Sequence, residues 1–225
     1  MRLLVFVFCI LALCLFFGNG AAWGDTVPIQ NASFESTNAL TSSCAGPGTC
    51  LFNYGPIPGW TSTGATGSFE PSSAYFNLPL PDGSILGYIN GGSISQTLTG
   101  ISLQPNSIYT LSVDVGHRLD GDVTSFSVSL DAGSGFSCTT SGSNSSAPLG
   151  GFIDLILTCP TGGSVPSDFL KIVLTGENNQ VNFDNVQLNV VSTPEPSALV
   201  LMLSGLSLVG LLSARSQRNR YLQNA

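Results

Sequence analysis

"IYTLSVDV", residues 108–115, is the stretch that decides the fold. Tyr109, Leu111, Val113 and Val115 fall on one side of an extended chain, with Thr110, Ser112 and Asp114 on the other. Successive strand side chains point to opposite faces, so the segment reads as a strand with one buried face and one wet face. The same alternation recurs in "SFSVSL" (125–130), where Phe126, Val128 and Leu130 are separated by serines. "FIDLILT" (152–158) and "FLKIVLTG" (169–176) are denser, the composition of strands nearer a core. "VPIQNASF" (27–34), "ILGYI" (85–89) and "SISQTLT" (93–99) are further candidates. About eight to ten short strands joined by polar turns predict an all-β antiparallel sandwich or jelly roll over residues 25–192. The Ser/Gly-rich "TTSGSNSSAPLGG" (139–151) reads as a mobile loop within it.

"QVNFDNVQLNV" (180–190) breaks the rhythm in an informative way. Val181 and Phe183 share one phase, whereas Val186, Leu188 and Val190 take the other. A period of two cannot change face without an extra residue or a kink, which places a slip at Asp184–Asn185.

The chain of 225 residues is only 8% charged, where about 25% is usual. Between 25 and 192 the basic residues are Arg118 and Lys171 alone, against twelve acidic ones. This excludes a basic nucleic-acid footprint. Residues 1–24 have the grammar of an export signal: Arg2, the apolar run Leu3–Phe17 and the small-residue exit "GNGAAWG". Its removal leaves Cys44, Cys50, Cys138 and Cys159, an even number that in an exported chain points to disulfides. Three pairings are open, and proximity in sequence favours Cys44–Cys50 with Cys138–Cys159. No C-x-x-C spacing supports a zinc site.

Residues 198–214 carry no charge and just reach the length of a membrane-spanning helix, and Arg215, Arg218 and Arg220 follow. A cytoplasmic basic cluster leaves the preceding domain outside. With Pro194, Glu195 and Pro196 ahead of the apolar run, residues 193–225 resemble the PEP-CTERM sorting signal of exported bacterial proteins. The resemblance implies a membrane-anchored precursor, recognition by an exosortase-type membrane enzyme, and delivery to the cell surface or extracellular matrix.

"IQNASFES", "IPGW", "SQTLTGISLQPNSIYTLSVDV" and "VNFDNVQL", in that order, resemble the jelly-roll, galactose-binding-like carbohydrate-binding modules. In several of these, a Glu of the first strand and an Asp of the last hold a structural calcium. The matching residues are Glu35 and Asp184, which the resemblance makes the metal candidates.

His117 is the only histidine, and G-x-S-x-G, H-E-x-x-H and phosphate-loop patterns are absent. No two of the acids stand out as a glycoside-hydrolysis pair. For a sugar site, flat aromatic faces and a directional polar group are wanted, and Tyr75, Tyr88 and Arg118 are the candidates, with Tyr54 beside them and Trp60 assigned to the core. Tyr75 and Tyr88 flank "FNLPLPDGS" (76–84) and are expected to be exposed. Together these readings predict a non-catalytic surface protein that associates with extracellular polysaccharide. The alternatives are an adhesive matrix protein without a sugar site and a polysaccharide hydrolase.

Overall fold

A computed structural model describes residues 24–44, 49–193, and 202, 205–207, 209–210 and 212. The chain divides into two compact units, Met1–Ser192 and Thr193–Ala225. Among the described residues eleven strands build the first: β1 (Asp25–Val27), β2 (Ser42–Ser43), β3 (Leu51–Phe52), β4 (Thr61–Glu70), β5 (Leu86–Ser102), β6 (Ser107–His117), β7 (Ser125–Ala132), β8 (Phe136–Ser143), β9 (Gly151–Pro160), β10 (Phe169–Gly176) and β11 (Val181–Ser192). Every pairing is antiparallel. The expected all-β, jelly-roll-like sandwich is what forms.

Two long strands serve both layers. The second half of β5 pairs with β10, which continues through β7 to β8, and we call this layer A. Its first half, Gly87–Ile89, pairs with β11, which leads through β6 to β9 in layer B. The crossing is made where β4 and β5 bend together at Gly64, Gly91 and Gly92, all with positive φ. A Cβ on Gly64 would stand 2.2 Å from the Gly91 carbonyl oxygen, and one on Gly92 would stand 2.1 Å from that of Thr63. Only glycine lets the two backbones approach this closely in that conformation.

The core lies between the layers. Ile94, Leu98, Leu130, Ile172 and Leu174 from layer A meet Leu111, Val113, Val115, Val181 and Phe183 from layer B. Phe126 and Phe183 touch edge to face across the gap at 6.1 Å. Trp60 packs 5.4 Å from Phe34 and donates its indole N–H to the Asn31 carbonyl, as a core residue with a polar edge must. The slip in the last strand is a bulge: register shifts between Asp184 and Gln187, and Asn185 takes a φ of 48°. The amide of Val186, freed from the ladder, donates to the Ala32 carbonyl instead.

Three local expectations change. Thr139–Ser143 is the end of β8, not loop: it pairs with β7 throughout, with Thr139 and Ser141 on the outward phase. Dense "FIDLILT" belongs to β9, whose only strand partner among the described residues is β6, and Ile156 is 60% exposed. Of the candidate at 27–34 only Val27 is strand, as the last residue of β1, since the chain turns at Asn31.

Disulfides join Cys44 to Cys50 and Cys138 to Cys159, with Cα separations of 5.4 and 5.9 Å. The second ties β8, at the end of layer A, to β9, at the end of layer B. Such bonds persist in an oxidising or extracellular environment. The export segment, the Pro194–Glu195–Pro196 motif and the basic residues Arg215, Arg218 and Arg220 lie outside the described residues. The described residues between 202 and 212 are helical, and no helix among the described residues is long and apolar enough to cross a membrane.

Candidate functional site: an aromatic cleft on layer B

The outer face of layer B begins with a row of cross-strand neighbours, Gly67, Tyr88, Asn182, Gly116 and Phe152. The glycines matter because large groups sit on them. A Cβ on Gly67 would fall 1.9 Å from the Asn53 carbonyl oxygen and 2.8 Å from the Tyr88 hydroxyl, and one on Gly116 would fall 2.7 Å from the Phe152 ring. The segment between β4 and β5 lies over this face with Phe76 and Leu80 buried. There they join Phe69, Leu86 and Tyr88 in a second apolar cluster, with Phe76 stacked 4.9 Å from Phe152.

Beside the cluster opens a cleft of about 220 Å³. Phe52, Tyr54, Phe69 and Tyr88 make its walls, Asn90, Arg118 and Gln180 supply polar groups, and Cys44 of the short disulfide completes the lining. Tyr88 is 3% exposed, so the expectation that it projects into solvent is corrected: its ring is a wall, held by a 2.9 Å hydrogen bond from its hydroxyl to the Asn53 carbonyl. Burial, with Tyr54 adding to it, pushes its phenol up to about 12, so it stays protonated near neutral pH. Tyr75 is half-buried beside the cleft and meets the Phe69 ring edge-on at 5.7 Å. Tyr54 stands out at the rim, 70% exposed.

Arg118 is fixed from several sides. It forms an ion pair with Asp120, has Asp122 at 3.9 Å, and lays its guanidinium 4.9 Å from the Tyr75 ring centre and 5.9 Å from that of Phe69. It donates to the Gln180 side-chain oxygen at 2.8 Å, and the Gln180 amide donates at 3.4 Å to Asn182. The "DGD" turn thus countercharges the arginine, and none of the cleft-lining residues is a carboxylate. Phe52, Phe69, Asn90 and Gln180 carried no sequence signal, because they come from separate strands and turns that meet only in the folded layer.

Glu35 and Asp184 come to opposite ends of one short loop, residues 82–85. Glu35 accepts from the Ser84 and Ile85 amides at 2.8 and 2.7 Å, and Asp184 accepts from those of Asp82 and Asn185 at 3.0 and 2.8 Å. Burial pushes Asp184 up to about 7; its two amide bonds oppose this, while the carboxylates of Asp82 and Asp114 add to it. Burial raises Asp114 as well, against a hydrogen bond from Asn185. Calcium asks for six to eight oxygens. Here the carboxylates accept from amide N–H groups and so clamp the loop, and among the described residues no group of three or more His, Cys, Asp or Glu side chains gathers around a common point.

The sequence profile of the HpiC1-like family, described as HpiC1 cyclase, matches residues 25–189. A crystal structure of a cyclase from Fischerella sp. TAU is 25% identical, with a TM-score of 0.62 over 77% of this chain and 100% of that one. A cyclase from the same organism in complex with 4-(1H-indol-3-yl)butan-2-one is also 25% identical, with a TM-score of 0.60 over 76% and 100%. The CBM22-1 xylan-binding domain from Paenibacillus barcinonensis shares 14% identity, with a TM-score of 0.48 over 78% and 100%. A search of curated protein sequences returns no significant match. The expectation of a non-catalytic protein is overturned by the family match, which spans nearly the whole sandwich and is to enzymes. The absence of a familiar catalytic motif misled.

Proposed function

Because the chain belongs to the HpiC1-like cyclase family, we propose that the cleft beside Arg118 is a cyclase active site for a small, neutral, indole-type molecule. The observation that carries this reading is the lining: four aromatic rings around a space of about 220 Å³, with an amide and a countercharged guanidinium at one side. Flat apolar walls with a few placed polar groups are what a compact heteroaromatic ligand needs. The indole ketone held by the Fischerella cyclase has that character.

Ring closure within one molecule requires its flexible arm to be folded back over the ring. Holding that conformation removes rotational freedom before the bond forms, and this is the contribution that Phe52, Phe69 and Tyr88 make. Gln180, oriented by Arg118 and Asn182, gives the arm or ring a directional contact. The test is titration of the full chain with 4-(1H-indol-3-yl)butan-2-one. Saturable binding that weakens about tenfold, about 1.4 kcal/mol, in Tyr54→Ala and Gln180→Ala is expected. No binding by folded protein would refute the reading.

We propose too that this enzyme acts outside the cytoplasm, as a sorted surface protein. The disulfides support an oxidising location, and the order of Pro194–Glu195–Pro196, apolar run and arginines supports handling by an exosortase-type enzyme. Intact mass of the chain from its own host tests this: loss of the segment beyond the motif is expected, and a retained tail contradicts it.

A further inference from the structure

Arg118, Gln180 and Asn182 form a line of hydrogen bonds at one end of the cleft, and chemistry fixes its direction. Arg118 has only N–H groups to offer, so the Gln180 atom that meets it at 2.8 Å is the amide oxygen. The Gln180 NH2 is thereby turned to Asn182, where it donates at 3.4 Å to the side-chain oxygen. Asn182 has then committed its oxygen to Gln180, and its own NH2 is left over. The residue is wholly buried, and its Nδ2 has no acceptor among the described residues. Arg118 Nε, at the other end of the same line, is buried and unpaired as well.

A buried donor without an acceptor is uncommon, because it has given up water and received nothing in exchange. The neighbours of Asn182 show why the fold supplies no acceptor. In the ladder it stands between Tyr88 on β5 and Gly116 on β6. Over Gly116 lie the rings of Phe152 and Phe76, 2.7 and 2.9 Å from where a Cβ would stand, and neither carries an oxygen or nitrogen. On the other side, the Tyr88 hydroxyl is bonded to the Asn53 carbonyl. An apolar side chain at 182 would have avoided the cost of the orphan amide. Tyr88, beside Asn182, and Gln180, bonded to it, both line the cleft.

We propose that Asn182 is a specificity-determining residue of the cleft, selecting an aromatic ligand whose flexible arm carries a carbonyl oxygen. This rests on the reading of the cleft as a cyclase site and names the kind of molecule it takes. Because Asn182 is enclosed, the oxygen meets it by entering between Tyr88 and Gln180. The Gln180–Asn182 bond is long for an N–H···O contact, so little is lost when a ligand atom intervenes. A carbonyl oxygen has two lone pairs and no proton, and it takes one N–H from Gln180 and one from Asn182. A hydrocarbon arm leaves both donors unmet.

Titration of the full chain with two ligands of one skeleton tests this: 4-(1H-indol-3-yl)butan-2-one and 3-butylindole, which lacks the oxygen. The unaltered chain binds the ketone about tenfold more tightly. Asn182→Leu, and Asn182→Val as a second apolar replacement suited to a strand, reduce the ketone to the affinity of 3-butylindole. Both leave 3-butylindole within about twofold of its original affinity. If Asn182 acted only by orienting Gln180, Asn182→Leu would add nothing in a Gln180→Ala background; direct contact predicts a further loss of ketone affinity there. Equal affinity of the unaltered chain for the two ligands, a preference that survives in both folded variants, loss of both ligands together, or no further loss in the Gln180→Ala background would each overturn the proposal. Binding of neither ligand by the folded, unaltered chain would remove the cyclase reading of the cleft, and the proposal with it.

Discussion

The two outer faces of this sandwich share strands yet differ in almost everything else. On β5, the residues before the Gly91–Gly92 bend place Leu86 and Tyr88 beneath a covering segment on layer B. The residues after it place Ser93 and Thr97 on the open face of layer A. Layer B is roofed, aromatic and lined by aspartates, while layer A is flat, hydroxylated and without net charge. The lesson is that the jelly roll specifies only the buried pattern. What each outer face does depends on the residues at the outward phase and on whether a loop returns to cover them.

The comparison breaks most completely where the strands cross. Gly64→Val puts a branched side chain where a Cβ already stands 2.2 Å from the Gly91 carbonyl oxygen, at a φ of +75°. It should cost about 4 kcal/mol or more by urea unfolding, or prevent folding. Both faces should be lost together, because the crossing serves both.

Asp184 sharpens the contrast through pH. Its carboxyl is held up near 7 in the folded chain, against 3.8 for an ordinary solvated aspartate. The folded state therefore binds the proton more tightly, and this group's stabilisation is complete below pH 4 and lost as pH rises through 7. Asp184→Asn should flatten a slope of a few kcal/mol between pH 4 and 7, measured with a chelator present. The layer A hydroxyls have no such dependence. A stability that instead rises through this window with chelator present would contradict the raised Asp184 carboxyl, and a calcium-dependent gain at pH 8 would show that the clamp on residues 82–85 holds an ion.

The disulfides separate the faces on a smaller scale. Cys138 and Cys159 lie 21 residues apart, and replacing both with serine should cost roughly 3 kcal/mol by chain entropy. Ligand affinity should be nearly unchanged. Cys44 and Cys50 lie six apart, so their loss should cost less, roughly 2 kcal/mol. Because Cys44 lines the cleft, it should weaken binding of the indole ketone. Smallest of all, Thr139→Glu on the open face should shift stability by no more than about 0.5 kcal/mol, read from thermal melts.

Much of the fold was legible because burial imposes a period of two, and even the bulge at Asp184–Asn185 showed as a change of phase in Val181, Phe183, Val186 and Leu188. Composition was a poorer guide. Ser/Thr-rich β8 looked like loop because neither of its faces is deeply buried, and apolar β9 looked central though it pairs on one side only. The site was legible only in fragments. Arg118 could be singled out as one of two basic residues in the domain, but the exposure of Tyr88 depended on where residues 71–85 would lie. Gln180, Phe52 and Asn90 enter the cleft through strand pairing and turns, which no local pattern announces.

The central claim is that the aromatic cleft closes rings. Its most direct test is incubation of the purified full chain with 3-substituted indoles bearing an alkene arm, followed by chromatography and mass spectrometry. The account predicts a product of unchanged mass and different retention, formed at a rate that falls about tenfold in Gln180→Ala while the melting temperature holds. Unaltered substrates after incubation with protein that binds the indole ketone would contradict it, leaving a cleft that recognises aromatic molecules and transforms none.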